Sequence, residues 1–179
     1  MVSQGLWRVA VHEAGHAVAA KAMGVEVCEA IADDDEGHVI HRDTSLLRKL
    51  IIIRASLSAE RIVGGFREPG SRDQDRADEN RLLRNFSELA RGAVRLTVAS
   101  VADDIIRANR ENVKKVADLL CEYESADDEL MRQALRNVKT FDVIERERAL
   151  IRKSYKSRRT WNIGNYGKQR TVASVAGCR

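Results

Sequence analysis

A single proline, Pro69, stands in a chain of 179 residues. Proline removes a backbone donor and clashes with the preceding turn of a helix. Its scarcity leaves almost the whole chain open to long helices. Aromatic residues are also few, at 4%, so a core must be built from Ala, Leu, Val and Ile. These shortages point to a mainly α fold. The three cysteines, Cys28, Cys121 and Cys178, show neither C-x-x-C spacing nor an even-numbered framework. Free thiols in a reducing compartment are therefore expected. No apolar run approaches the ~20 residues of a membrane span. No basic-then-apolar leader opens the sequence either, and the expected location is cytoplasmic. A phosphate-binding loop is missing too, because Gly164-x-x-Gly167-Lys168 is too short for one.

Acids are missing from residues 151–179, which hold eight Lys or Arg. The other 23 basic residues share residues 1–150 with all 27 acids, so the body is near −4 and the tail +8. Tyr155, Trp161 and Tyr166 interleave with the tail's charges. Such a composition is expected to be disordered alone. It serves as a solubilising extension, or contacts phosphates and stacks on the bases of a nucleic acid. The expected organisation is a folded domain over 1–150 and a disordered basic tail over 151–179.

What is present is concentrated near the N-terminus. His12-Glu13-Ala14-Gly15-His16 reads H-E-x-x-H within an apolar run from Leu6 to Met23. On a helix, His12 and His16 share one face. Two imidazoles at that spacing can hold one Zn²⁺, and Glu13 between them can act on the attacking water. The run predicts a helix over 4–23, stopped by Gly24. Gly15 inside it implies a close approach by another backbone or by substrate.

Strands are expected over 25–31 and 38–42, joined as a hairpin by the acidic turn Ala32-Asp33-Asp34-Asp35-Glu36-Gly37. That turn reads as a solvated loop, since it lacks the spacing of a calcium loop. A second helix over 44–63 carries Leu46, Leu47, Leu50, Ile51, Ile53, Leu57 and Ile62 at helical spacing, ended by Gly64-Gly65. A third long helix opens at Arg72-Asp73, with Leu82, Leu83, Phe86, Leu89, Ala90 and Ala93 as its buried face. A fourth spans 102–123. Ser125-x-x-Asp128 resembles a capping box for a fifth.

A catalytic zinc takes three protein ligands. The remaining histidines, His38 and His41, are not at the H-x-x-G-x-x-H spacing. A carboxylate is therefore expected as the third ligand. Glu36, Glu60, Asp73 and Asp75 are candidates by position, and the residues alone leave them open.

His12-Glu13-Ala14-Gly15-His16-Ala17 resembles the H-E-A-G-H-A of the FtsH-type zinc peptidases, the membrane-anchored ATP-dependent proteases. Leu57-Ser58-Ala59-Glu60-Arg61-Ile62-Val63-Gly64-Gly65 resembles that family's G-R-A-A-E-E-I-x-x-G helix. Gly70-Ser71-Arg72-Asp73-Gln74-Asp75-Arg76-Ala77 resembles its G-A-x-x-D-x-x-x-A segment, whose Asp is a zinc ligand. Asn109-Arg110, Ala117-Asp118-Leu119-Leu120 and Glu124-Ser125-Ala126-Asp127 follow in the family's order. The resemblance covers about residues 8–140. It departs from the family in a shorter link between the first two motifs, and in lacking the transmembrane and ATPase parts.

The resemblance implies a helical zincin-like peptidase domain with a small β-hairpin. It implies a Zn²⁺ held by His12, His16 and Asp73, and a zinc metalloendopeptidase acting on unfolded protein or peptide substrates. Counting back from Ala77 selects Asp73, while counting from Gly70 falls between Asp73 and Asp75. Asp73 is the expected ligand and Asp75 the alternative. Glu13 takes the proton of the attacking water and passes it to the leaving amine. Glu60 orients a ligand histidine, or is a helix–helix contact. A homo-oligomer (a hexamer in the family) and a separate ATPase are the implied partners. Two other readings stand beside this one. The first is a regulatory zincin with a Glu ligand on a later helix. The second is a catalytically degenerate body whose basic tail does the binding.

Overall fold

The computed structural model describes residues 2–34, 36–66, 73–142, 144 and 145. The chain divides into two compact units, Met1–Phe141 and Asp142–Arg179. The described helices and strands that position the site all lie in the first unit. The expected basic tail over 151–179, and the boundary at 150, lie outside the described residues. In order, the elements are α1 (Gln4–Ala22), β1 (Val27–Ala32), β2 (Gly37–His41), α2 (Leu46–Ile62), α3 (Asp73–Leu83), α4 (Glu88–Ala108), α5 (Arg110–Tyr123), β3 (Ser125–Ala126) and α6 (Asp128–Ala134). The mainly α expectation therefore holds for the described residues.

α1 starts where Ser3 accepts a hydrogen bond from the Leu6 amide at 3.0 Å, a side-chain cap for a first-turn donor. It ends at Gly24, whose φ of +73° is left-handed and favours glycine. Every residue from Ala10 to Ala20 is buried, so the helix is covered on all sides, as an apolar helix without a polar face must be. α2, α5 and β1 pack around it. The closest approach is at Gly15. A Cβ there would lie 2.7 Å from the Ala59 Cβ, 2.8 Å from the Ala55 carbonyl oxygen and 2.9 Å from the Ser56 Cα. The neighbouring backbone expected from Gly15 is thus that of α2.

β1 and β2 form the expected antiparallel hairpin, with Ala30 opposite Val39 and Ala32 opposite Gly37. A register shift falls between Val27 and Glu29. The short strand β3 pairs antiparallel with the other edge of β1. The order is β2-β1-β3, so β2 is an edge strand among the described residues.

Three expectations are corrected. The single helix from Arg72 through Ala93 is two helices, α3 and α4. At the break, Ser87 caps the new helix by accepting from the Ala90 amide at 3.3 Å. The Arg91 side chain donates to the carbonyls of Phe86 (2.9 Å) and Arg84 (2.7 Å). A donor of the new start and two carbonyls of the link are thereby satisfied. Restarting the phase turns Leu89 outward, 87% exposed, although helical spacing assigns it to the core. Next, the expected helix over 102–123 belongs to α4 and α5, which meet at Asn109. The buried Asn109 side chain donates to the Ile105 and Lys139 carbonyls at 3.1 Å each and accepts from the Lys139 amide at 2.7 Å. Finally, the cap of α6 is Asp127, which accepts from the Leu130 amide at 3.0 Å. Ser125 is in β3 instead.

No described helix is long and apolar enough to cross a membrane. The Gly15 contact is open to test. The atoms a Cβ would meet include backbone atoms of α2, which cannot swing aside. Overpacking of this kind costs about 1–3 kcal/mol, more than the ~1 kcal/mol of helix propensity that alanine adds over glycine. Gly15→Ala should therefore lower the urea midpoint at unchanged m-value. An unchanged or raised midpoint would show that α1 and α2 can spread.

Candidate metal centre

α2 presents three polar groups to α1 at four-residue spacing: the Ile52 carbonyl, the Ser56 hydroxyl and the Glu60 carboxylate. Residues four apart stack on one helix face, and each meets a different partner. Glu60 Oε1 lies 2.8 Å from His12 Nδ1. The Ile52 carbonyl lies 2.9 Å from His16 Nδ1. The pairing of 12 with 60 and 16 with 52 shows that the two helices run in opposite directions. Glu60 is 1% exposed, and its second oxygen accepts from Arg8 Nε and an Arg8 terminal nitrogen at 3.3 Å each. Arg8 in turn sits over the Phe66 ring at 4.9 Å.

Each Nδ1 faces an acceptor and so carries a proton, which leaves Nε2 of each ring as the atom that can ligate a metal once it is deprotonated. The two Nε2 atoms lie 3.1 Å apart, with the rings nearly perpendicular at 87°. Asp75, from the first turn of α3, joins them. Its Oδ2 is 3.2 Å from His12 Nε2, and its Oδ1 is 3.6 Å from His16 Nε2. Ser56 Oγ is 2.9 Å from Asp75 Oδ2 and 2.8 Å from the Ile53 carbonyl, so its one proton is shared between the two. Burial pushes the Asp75 carboxyl up. When the two imidazoles are protonated and no metal is bound, the hydrogen bond from His12, the charges of His16 and His12, and the Ser56 bond outweigh this and bring it down to about 2. Asp75 is therefore a carboxylate at neutral pH.

Three Lewis bases thus converge. Tetrahedral zinc ligands at ~2.0–2.1 Å stand about 3.3 Å from one another; the two Nε2 atoms are 3.1 Å apart, and Asp75 approaches them with different oxygens, Oδ2 at 3.2 Å from His12 and Oδ1 at 3.6 Å from His16. The donor set and its spacing fit a Zn²⁺. Glu13, 4% exposed, is beside the pair. One ligating atom from each of His12, Glu13 and His16 lies within 4.8 Å of the others.

The centre opens into a cavity of about 500 Å³. Its walls are Val9 and the motif residues of α1, Ile52 and Ile53 of α2, Gln74, Asp75 and Asp78 at α3, and Glu36 with Gly37, His38, Val39 and His41 along β2. Gly37 lies against the motif, since a Cβ there would fall 2.7 Å from the Glu13 Cγ.

The structure brings His12, Glu13 and His16 together. It leaves Glu36 at the cavity wall and Glu60 behind His12, where the orienting role fits. Asp75, the alternative third ligand, is brought to the pair. Asp73 opens α3, and its side chain lies outside those described. Sequence reasoning missed Ser56, Ile52 and Arg8. The available signal was Ser56 and Glu60 four apart in an otherwise apolar helical run.

No protein-family model matches this chain, and no curated protein matches it at a significant level.

Zinc affinity measured by competition with a chromophoric chelator checks the ligand set. Asp75→Asn should lose at least 10-fold and Asp73→Asn should lose nothing measurable. Glu60→Gln should fall 10–100-fold, the range for groups that orient a metal ligand. Loss from Asp73→Asn alone would return the third position to Asp73.

Proposed function

We propose that the protein is a zinc-dependent metalloendopeptidase of zincin type, hydrolysing peptide bonds in unfolded or flexible protein segments. The observation that carries this is the meeting of His12 Nε2, His16 Nε2 and the Asp75 carboxylate, 3.1–3.6 Å apart, with Glu13 beside them. A divalent cation can be held by all three groups at once. His12, His16 and Asp75 would hold the metal, with Glu60 and the Ile52 carbonyl fixing the two rings. A bound Zn²⁺ supplies Lewis-acid polarisation of a carbonyl and activates water near neutral pH.

The rest of the chemistry falls to the chain's own residues. Glu13 is a carboxylate one residue from His12, on the cavity side of α1. It accepts the proton of the attacking water and delivers it to the leaving amine. A water-excluding wall is supplied by Val9, Ile52 and Ile53. β2 is an edge strand that lines the same cavity. An extended peptide can add to such an edge through main-chain hydrogen bonds, which favours segments without secondary structure of their own. The FtsH-type resemblance agrees with this reading. It adds a ring of six copies and a separate ATPase that would deliver unfolded substrate.

Glu13→Gln tests the proposal. It should keep its zinc and lose cleavage of casein by roughly 10²–10⁴-fold, the usual contribution of a general base. Chelation of the wild type should abolish cleavage, and added Zn²⁺ should restore it. Undiminished cleavage by Glu13→Gln would sink the assignment.

A further inference from the structure

α3 supplies the third carboxylate, and little apolar surface holds α3 in place. Among its described side chains only Glu79 and Leu83 are buried. Asp75, Asp78 and Leu82 are partly covered, and the others face outward. One leucine at the far end cannot fix the rotation of a helix about its own axis. That rotation decides whether Asp75 meets the histidines.

Glu79 stands one turn beyond Asp75 on the same face and is 6% exposed. Its Oε1 is 3.3 Å from Arg54 Nε on α2 and 3.6 Å from Arg95 Nε on α4. Neither Arg54 Nε nor Glu79 Oε1 has an aligned hydrogen bond, so charge rather than direction holds the contact. Arg95 also donates to Asn80 at 2.7 Å. α2 therefore grips α3 twice, through Ser56 at Asp75 and Arg54 at Glu79, and α4 grips it beside the second point.

We infer that Glu79 is a positioning residue for the metal centre: clamped between Arg54 and Arg95, it sets the rotation of α3 that turns Asp75 to His12 and His16. This rests on the proposed zinc site. A buried carboxylate between two guanidinium groups can be purely structural. The distinguishing property is that Glu79 acts on the metal only through Asp75.

The experiment measures Zn²⁺ affinity on the full chain by chelator competition, with thermal unfolding of each metal-free variant alongside. A wild type that binds no Zn²⁺ overturns the metal reading, and this inference with it. With wild-type binding established, Glu79→Gln should weaken Zn²⁺ by 10–100-fold. Its Co²⁺ form should take the absorption spectrum of Co²⁺-loaded Asp75→Asn. The double variant Asp75→Asn/Glu79→Gln should bind no more weakly than Asp75→Asn alone, because coupled positions are not additive. Unchanged affinity in a Glu79→Gln protein that merely melts earlier overturns the inference. So do losses that multiply in the double variant. If Glu79→Gln does not fold, Arg54→Gln removes the other partner and carries the same comparison.

Discussion

The close approach of α1 and α2 at Gly15 is the constraint on which the rest depends. With no side chain at 15, the α2 backbone at Ala55 and Ser56 comes within contact distance of α1. Only at that separation can a backbone carbonyl of α2, at Ile52, reach His16 Nδ1 while the short Ser56 side chain still reaches the centre. Glu60, with a longer stem, then meets His12 from the same face. Gly15 lowers helix propensity locally, and the buried surroundings of α1 offset that loss.

Electrostatics follows from the same packing. Placing both Nδ1 protons on acceptors of α2 turns both Nε2 lone pairs toward one point. Asp75 adds negative charge at that point, in a site largely shielded from water. Asp75 also pairs with the two imidazoles directly, so the same groups can hold either protons or the proposed cation. Arg8 balances Glu60 behind the centre, and Arg54 with Arg95 balances Glu79 beside it. The charged groups of the region thus fall into an outer set that faces away from the cavity and an inner set that lines it.

Much of the fold was legible because it is local. The four-residue spacing of His12 and His16, the all-round apolar run of α1 and the turn-bounded strands of the hairpin are periodicities of the chain itself. Where the reading failed, the cause was non-local or depended on caps. The spacing of Leu82, Phe86, Leu89 and Ala93 continues smoothly through Asn85–Ser87. Nothing in that spacing reveals that Arg91 folds back on two carbonyls and Ser87 starts a new helix. Asn109 likewise turns the α4–α5 corner through contacts with Lys139, thirty residues on.

For the candidate site, the sequence by itself determined two histidines and a glutamate on one helix, because i, i+4 geometry is a property of any helix. It also narrowed the third base to a few carboxylates. Only the tertiary structure brought Asp75 to the two histidines. That meeting turns on the rotation of α3 about its axis, which is set by the Ser56, Arg54 and Arg95 contacts across space rather than by the spacing of residues along the chain.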